Sequence, residues 1–157
     1  MKIGILSDTH DNLPMIDKAV SFFNRQKTGF VFHAGDFVAP FTVDRLNKLD
    51  CEWLGVFGNN DGEKKGLALK SEGRIRKPPL KAKAGGKTYI VVHDPASFGF
   101  KRPAPDCVIF GHSHKPSVET RGKTLFVNPG ECSGWLSGIP TVALIDPDTM
   151  SARIVKL

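Results

Sequence analysis

Two aspartates, an asparagine and four histidines are spaced along this chain in a way that could hold metal ions. Asp8-Thr9-His10 comes first, directly after the short apolar run Ile3-Gly4-Ile5-Leu6. In an extended chain the side chains at i and i+2 share a face, so Asp8 and His10 can point the same way. A carboxylate beside an imidazole is half of a site for a first-row transition ion. Alone the triplet is weak, because Asp8 also suits a turn and His10 an ordinary loop. The chain must supply the other half elsewhere, and it does. Asp36, Asn59, His93 and the pair His112 and His114 each follow a short apolar run. Four of the five histidines fall in this set, and the fifth, His33, lies three residues before Asp36.

The donors are imidazole and oxygen, with no thiolate. That set suits manganese, iron, zinc, nickel or cobalt, and is too rich in nitrogen for calcium or magnesium alone. Seven donors exceed one tetrahedral site. They would serve two ions that share a bridging carboxylate about 3.5–4 Å apart, the spacing of two-metal hydrolases.

The elements that must place these donors follow from hydrophobic periodicity. Asn12 is a good N-cap, Pro14 belongs in a first turn, and Leu13, Ile16, Val20 and Phe23 recur at helical spacing. This predicts a helix ending near Gln26 to Gly29, then a short buried strand at Phe30-Val31-Phe32. Pro40 starts a second helix with Phe41, Leu46 and Leu49 facing inward. Cys51 to Phe57 reads as a third strand, ending at Gly58-Asn59-Asn60-Asp61-Gly62. The order β-α-β-α-β calls for parallel strands, and functional groups in such sheets gather past the carboxyl ends of the strands. Asp8, His10, Asp36, Asn59 and Asn60 all sit at such ends.

The second half reads differently. After a weakly helical piece from Glu63 to Ser71, Leu80, Ala82 and Ala84 alternate with Lys81 and Lys83 as a half-exposed strand. Gly85-Gly86 turns the chain into a return strand that ends at His93. A loop from Pro95 to Pro105 leads to the strand Cys107 to Phe110. Two more hairpins follow, around Gly122-Lys123 and around Asp146-Pro147-Asp148. A parallel half and a mostly antiparallel half suggest an α/β fold, two sheets face to face with helices outside. There is no internal repeat and no linker.

Composition narrows the function. The chain has 157 residues, 40% hydrophobic and 24% charged, an ordinary globular balance for one domain. Its apolar runs are too short for a membrane span or a signal peptide, so a cytoplasmic protein is expected. Three scattered cysteines without a C-x-x-C pair argue for reduced thiols rather than a disulfide framework. The net charge is +6, and the stretch Lys64–Lys87 holds nine basic residues against one acid, Glu72. Such a band suits anionic partners such as phosphates or nucleic acid, or simply a solvated face. It lacks the aromatic residues that stack bases. Trp135, Leu136 and Ile139 lie in a loop, either tucked onto the protein's own surface or anchoring a homo-oligomer.

Asp8-x-His10, Gly35-Asp36, Gly58-Asn59-Asn60-Asp61, His93 and Gly111-His112-x-His114 together resemble the ordered motifs of the calcineurin-like metallophosphoesterases. The chain length and Asn128-Pro129-Gly130 resemble the small prokaryotic YfcE-type phosphodiesterases among them. The resemblance implies a four-layer α/β/β/α sandwich of two mixed sheets with outer helices, as a single domain over residues 1–157. It implies one ion on Asp8, His10, Asp36 and His114, and a second on Asp36, Asn59, His93 and His112, with Asp36 bridging. It also implies attack on a small phosphodiester by a metal-bridging hydroxide, with two divalent ions, manganese foremost and nickel, iron, zinc or cobalt as substitutes.

This sequence departs from the family in two places. Asn60 stands where the family often has a catalytic histidine, and Asp94-Pro95 follows His93 where many relatives continue Gly-His. The alternatives to the enzyme are a scaffold like the retromer subunit of this fold, or a nuclease on polymeric nucleic acid. Substrate selectivity is expected in the loop from Ser97 to Pro105.

Overall fold

The computed structural model describes residues 1–99 and 103–157. Its first sheet holds β1 (Lys2–Leu6), β2 (Thr28–His33), β3 (Glu52–Val56) and β4 (Ile75–Arg76), all mutually parallel, with β10 (Thr141–Asp146) antiparallel to β1 and β11 (Ser151–Lys156) antiparallel to β10. The order across this sheet is β11-β10-β1-β2-β3-β4. The second sheet, of β5 (Leu80–Ala84), β6 (Lys87–Val91), β7 (Cys107–Ile109), β8 (Ser117–Arg121) and β9 (Thr124–Asn128), runs β5-β6-β7-β9-β8.

Strand alternation divides the core in two. Ile3 and Ile5 of β1 pack with Phe32, Val56, Tyr89, Val91, Ile109, Val127 and Ile145 in a cluster between the sheets. Leu6 points the other way, into a cluster with the helices. There α1 (Leu13–Arg25) buries Ile16, Ala19, Val20 and Phe23 against the first sheet. Asn12 caps this helix by accepting from the Met15 N–H, and Pro14 sits in its first turn. Past the C-cap Gln26, Lys27 turns left-handed (φ 52°), which ends the helix and starts β2. The short helices α2 (Val43–Leu46) and α3 (Lys64–Lys70) add Val43, Leu46 and Leu67 to the same cluster. Helical cover is thus concentrated on the first sheet. In the second sheet's connections it is one 3₁₀ turn at Pro95–Ser97 among the described residues. The three cysteines are free, Cys107 and Cys132 fully inside.

The elements of the first half stand where periodicity places them, with one correction. Pro40 opens a 3₁₀ turn, Pro40–Thr42, rather than an α-helix, and Phe41 is 49% exposed rather than inward. The tighter 3₁₀ pitch rotates the buried face onto Thr42, Val43 and Leu46. In the second half all three hairpins form, but the sheet is not mostly antiparallel. Strands β6, β7 and β9 run parallel, because β8 returns along the edge and leaves β9 beside β7. Hairpin pairing is local and legible; the docking of hairpins onto distant strands is not. The expected selectivity loop falls partly on residues 100–102, which lie outside the described residues.

Each sheet therefore brings three neighbouring parallel strands to the site, β1, β2, β3 and β6, β7, β9. Their carboxyl ends are stitched together. The Ala34 carbonyl accepts from His93 Nδ1 at 2.8 Å, the Gly111 N–H donates to His93 at 3.0 Å, and Cys132 donates to the Ser7 carbonyl at 3.0 Å. Asp61 ties two of the loops: its Oδ1 accepts from Val38 N–H and its Oδ2 from Gly58 N–H, both at 2.7 Å.

Two predictions follow from this packing. A Cβ at Gly4 would meet the Phe23 ring at 2.7 Å, so Gly4→Ala overpacks the β1–α1 contact. It should cost about 1–3 kcal/mol and lower the melting temperature by several degrees. Gly62→Ala, with nothing within 4 Å of the new Cβ, should stay within about 0.5 kcal/mol of the parent. Equal melting temperatures for the two variants would contradict the packing. Asp61→Asn turns one of two acceptors into a donor facing an N–H. It should cost about 1.5–3 kcal/mol by denaturant titration, and an unchanged midpoint would show that the loops do not depend on Asp61.

Candidate metal centre

All seven donors expected from the sequence converge on the seam between the carboxyl ends of the two sheets. Ligand atoms of Asp8, His10, Asp36 and His114 lie within 4.8 Å of one another. Asp8 Oδ1 is 3.9 Å from His10 Nε2 and 3.4 Å from His114 Nε2. Asp36 Oδ2 is 3.6 Å from His10 Nε2 and 3.4 Å from His93 Nε2. On its far side Asn59 Oδ1 sits 2.8 Å from His93 Nε2 and 2.9 Å from His112 Nδ1. Two groups of donors thus flank one carboxylate.

The backbone that presents these groups is unusual. Ten non-glycine residues among those described have positive φ, and five of them are Asp8, His10, Asp36, His112 and His114. Left-handed backbone costs on the order of 1 kcal/mol or more per residue, and Asp and His tolerate it better than most. The turns are close-packed as well. Gly35 (φ 103°) passes where a Cβ would lie 2.6 Å from His93 Nδ1, and at Gly111 a Cβ would run into the Ser7 hydroxyl. Glycine is required there because the loops touch the donors directly.

Hydrogen bonds fix several orientations. The Ala34 carbonyl can only accept, so His93 carries its proton on Nδ1 when neutral and turns the Nε2 lone pair toward Asn59 and Asp36. His33 is fully buried, stacked on Phe37 with centroids 3.6 Å apart. Its Nδ1 accepts from Gly35 N–H, leaving Nε2–H for the Thr9 hydroxyl. Burial holds its pKa well below the ordinary value, so it is a neutral brace between the Asp8 and Asp36 loops rather than a donor.

The electrostatics bear on whether a metal ion suits these residues. Asp8 is fully buried, yet neither carboxylate oxygen has a hydrogen-bond partner among the described residues, nor does His10 Nε2. Burial pushes the Asp8 carboxyl up. Burial also pushes Asp36 up, but the closeness and charge of His93 and two donors from Asn60 outweigh it and hold the group well below the carboxylate range. An unpartnered buried carboxylate is costly unless a cation faces it. N···O separations of 3.4–3.9 Å are too long for hydrogen bonds and suit donors gathered round a small cation. The residues therefore fit a divalent metal centre.

Asn60, the candidate catalytic residue, donates its backbone N–H to Asp36 Oδ1 at 2.9 Å and its side-chain N–H to Oδ2 at 2.7 Å. Asp94 does not orient His93. Its Oδ1 accepts from Ala96 N–H and caps the Pro95–Ser97 turn. Trp135 is 65% exposed, with its indole N–H directed at the His10 carbonyl at 3.2 Å. Sequence reasoning missed Glu131, which is fully buried behind His114. It stands just past the carboxyl end of β9, the same kind of position that revealed the donors. Burial pushes its carboxyl up, but the Leu136 and Ser137 N–H groups and the Ser137 and Ser133 hydroxyls bring it down to about 2.

Comparison with known proteins agrees with this geometry. The family model described as the calcineurin-like phosphoesterase superfamily domain matches residues 1–150. Phosphodiesterase MJ0936 of Methanocaldococcus jannaschii is 36% identical, covering 100% of this chain and 99% of the relative. Phosphodiesterase YfcE of Escherichia coli K12 is 26% identical over 96% of this chain and 90% of its own. The solved structure of an archaeal phosphodiesterase superposes with a TM-score of 0.89 at 34% identity, covering 100% of both chains. With two mixed sheets, covering helices and a buried carboxylate–imidazole cluster at their shared edge, the chain belongs to the calcineurin-like phosphoesterase superfamily.

Proposed function

We propose that this chain is a binuclear metal-dependent phosphodiesterase, one domain over residues 1–157, acting on small phosphodiesters in the cytoplasm. The observation that carries this reading is the place of Asp36. Its Oδ2 lies 3.6 Å from His10 Nε2 on one side and 3.4 Å from His93 Nε2 on the other. Asp8, His10, Asp36 and His114 would hold one ion, and Asp36, Asn59, His93 and His112 the other. Two divalent transition ions bound there, manganese foremost, would neutralise phosphate oxygens and lower the pKa of a water.

The chain's own residues would do the rest. A cavity of about 540 Å³ opens beside Asn59, His93 and His112, a size suited to a small ligand. Lys64 and Lys77, both from the basic band, line it and would attract an anion, while Phe57 and Pro78 form an apolar wall. His93 is held by its hydrogen bond to the Ala34 carbonyl, so a phosphate would meet a preorganised group. Asn60 can donate a hydrogen bond but carries no acidic proton near neutral pH. No helix is long and apolar enough to cross a membrane among the described residues. The scaffold reading has thinner support. The zinc complex of Vps29 from Entamoeba histolytica, 17% identical over 100% of this chain and 98% of its own with a TM-score of 0.69, carries the fold alone.

Four measurements test this reading. Metal-stripped protein reloaded separately with Mn, Ni, Co, Fe and Zn should hydrolyse an aryl phosphodiester with at least one of them. Inactivity with every metal would move the weight to the scaffold. By calorimetry the parent should take up two ions, Asp8→Asn should weaken one, and Asp36→Asn should weaken both; loss of a single ion in Asp36→Asn would contradict the shared carboxylate. Without an acid at Asn60, aryl diesters should turn over faster than alkyl diesters by about 10²–10⁴. Equal rates on the two, unchanged in Asn60→Ala, would reject that role. A short RNA in the same screen should show no steep loss between low and physiological salt, whereas a nuclease would.

A further inference from the structure

Glu131 is a buried carboxylate that the proposed chemistry does not use. It faces two structures at once. Its Oε1 lies 3.3 Å from His114 Nδ1, and that nitrogen has no hydrogen-bond partner among the described residues. The same carboxylate accepts from the Ser133 hydroxyl at 2.9 Å, the Leu136 N–H at 2.9 Å and the Ser137 N–H at 2.8 Å. Those donors belong to the loop that carries Trp135 and Leu136, the latter 81% exposed. Trp135 in turn reaches the carbonyl of His10. The base of the loop is laced to the Asp8 segment as well, since Ser133 N–H donates to the Asp8 carbonyl and Asn12 Nδ2 to the Ser133 carbonyl.

We propose that Glu131 is a positioning residue that joins the candidate metal ligand His114 to the 133–140 loop, so that metal affinity and the docking of Trp135 beside His10 are linked. The proposal rests on the metal-site reading above. A carboxylate oxygen 3.3 Å from Nδ1 favours the His114 tautomer that carries its proton on that nitrogen. The Nε2 lone pair is then left facing Asp8, where a cation would lie. Carboxylate partners of this kind orient a metal-bound imidazole and raise its basicity. A plain loop cap would not need this arrangement. The loop's donors already satisfy the carboxylate, so its approach to His114 is additional to the cap. Among the described residues His114 is the one basic side chain within ion-pair distance of Glu131. The carboxylate thus serves the loop with one set of lone pairs and the metal centre with another. By linkage, what holds one holds the other. The loop becomes a wall of the first-ion side of the site rather than a free surface patch.

The test uses Zn²⁺ on metal-stripped protein, read by calorimetry and by Trp135 emission in a Trp53→Phe background, since those are the two tryptophans. In the parent, emission should change on adding Zn²⁺ and saturate with the calorimetric curve. Glu131→Gln should weaken one of the two ions by about 10–100-fold and remove the emission change while leaving the fold intact by circular dichroism. Zinc affinity within about twofold of the parent, or emission in the parent that ignores zinc, would overturn the proposal. If Glu131→Gln does not fold, Ser133→Ala decides. It removes one donor to Oε1 and should weaken zinc about fivefold, and no change would overturn the coupling. A parent that binds no zinc would reject the metal-site reading itself. Normal parental binding with an indifferent Glu131 would reject this inference alone.

Discussion

The buried carboxylate of Asp36 is the constraint on which the rest of this structure depends. It is only 1% exposed and sits where the ends of both sheets meet. One oxygen is shared by imidazoles from two sides of the seam, and Asn60 closes the arrangement from above. Even its backbone is used, since its carbonyl accepts from the N–H groups of Thr9 and His10. A charge so placed is tolerable only if hydrogen-bond donors or a cation face it. Asn60 supplies such donors to Asp36, whereas both oxygens of the neighbouring Asp8 have no hydrogen-bond partner among the described residues.

Fold and site are two views of one arrangement. Parallel strands of both sheets send their carboxyl ends to the same edge, and each donor lies within a few residues of such an end. Placing seven donors in a small volume forces tight turns, and the turns force left-handed backbone at five of the donors. The strain is held by braces at the back. His33 fixes the first two loops to each other, and Asp61 fixes the second to the third. Glu131 does the same for the His114 loop and the Trp135 segment.

Much of this was legible in the sequence for a physical reason. Short apolar runs ending in Asp, Asn or His are local signals, and strand-end position is what a parallel sheet uses for function. The helix Leu13–Arg25 announces itself through Asn12, Pro14 and a four-residue apolar stripe. What escaped depends on distant partners. Nothing near Thr141 says that β10 will pair with β1, and nothing near Leu125 says that β9 will lie parallel to β7. The strand Ile75–Arg76 is too short and too charged to show periodicity. Glu131 hides because a glutamate beside Gly130 looks like an ordinary loop residue until the fold buries it.

The central claim is that Asp36 is shared between two ions. Anomalous scattering at the manganese edge, from crystals grown with Mn²⁺, would test it most directly. The account predicts two peaks of similar height about 3.5–4 Å apart, one among Asp8, His10 and His114 and one among Asn59, His93 and His112, with Asp36 in reach of both. A single peak on one side of Asp36, or two peaks that its carboxylate does not touch, would contradict it.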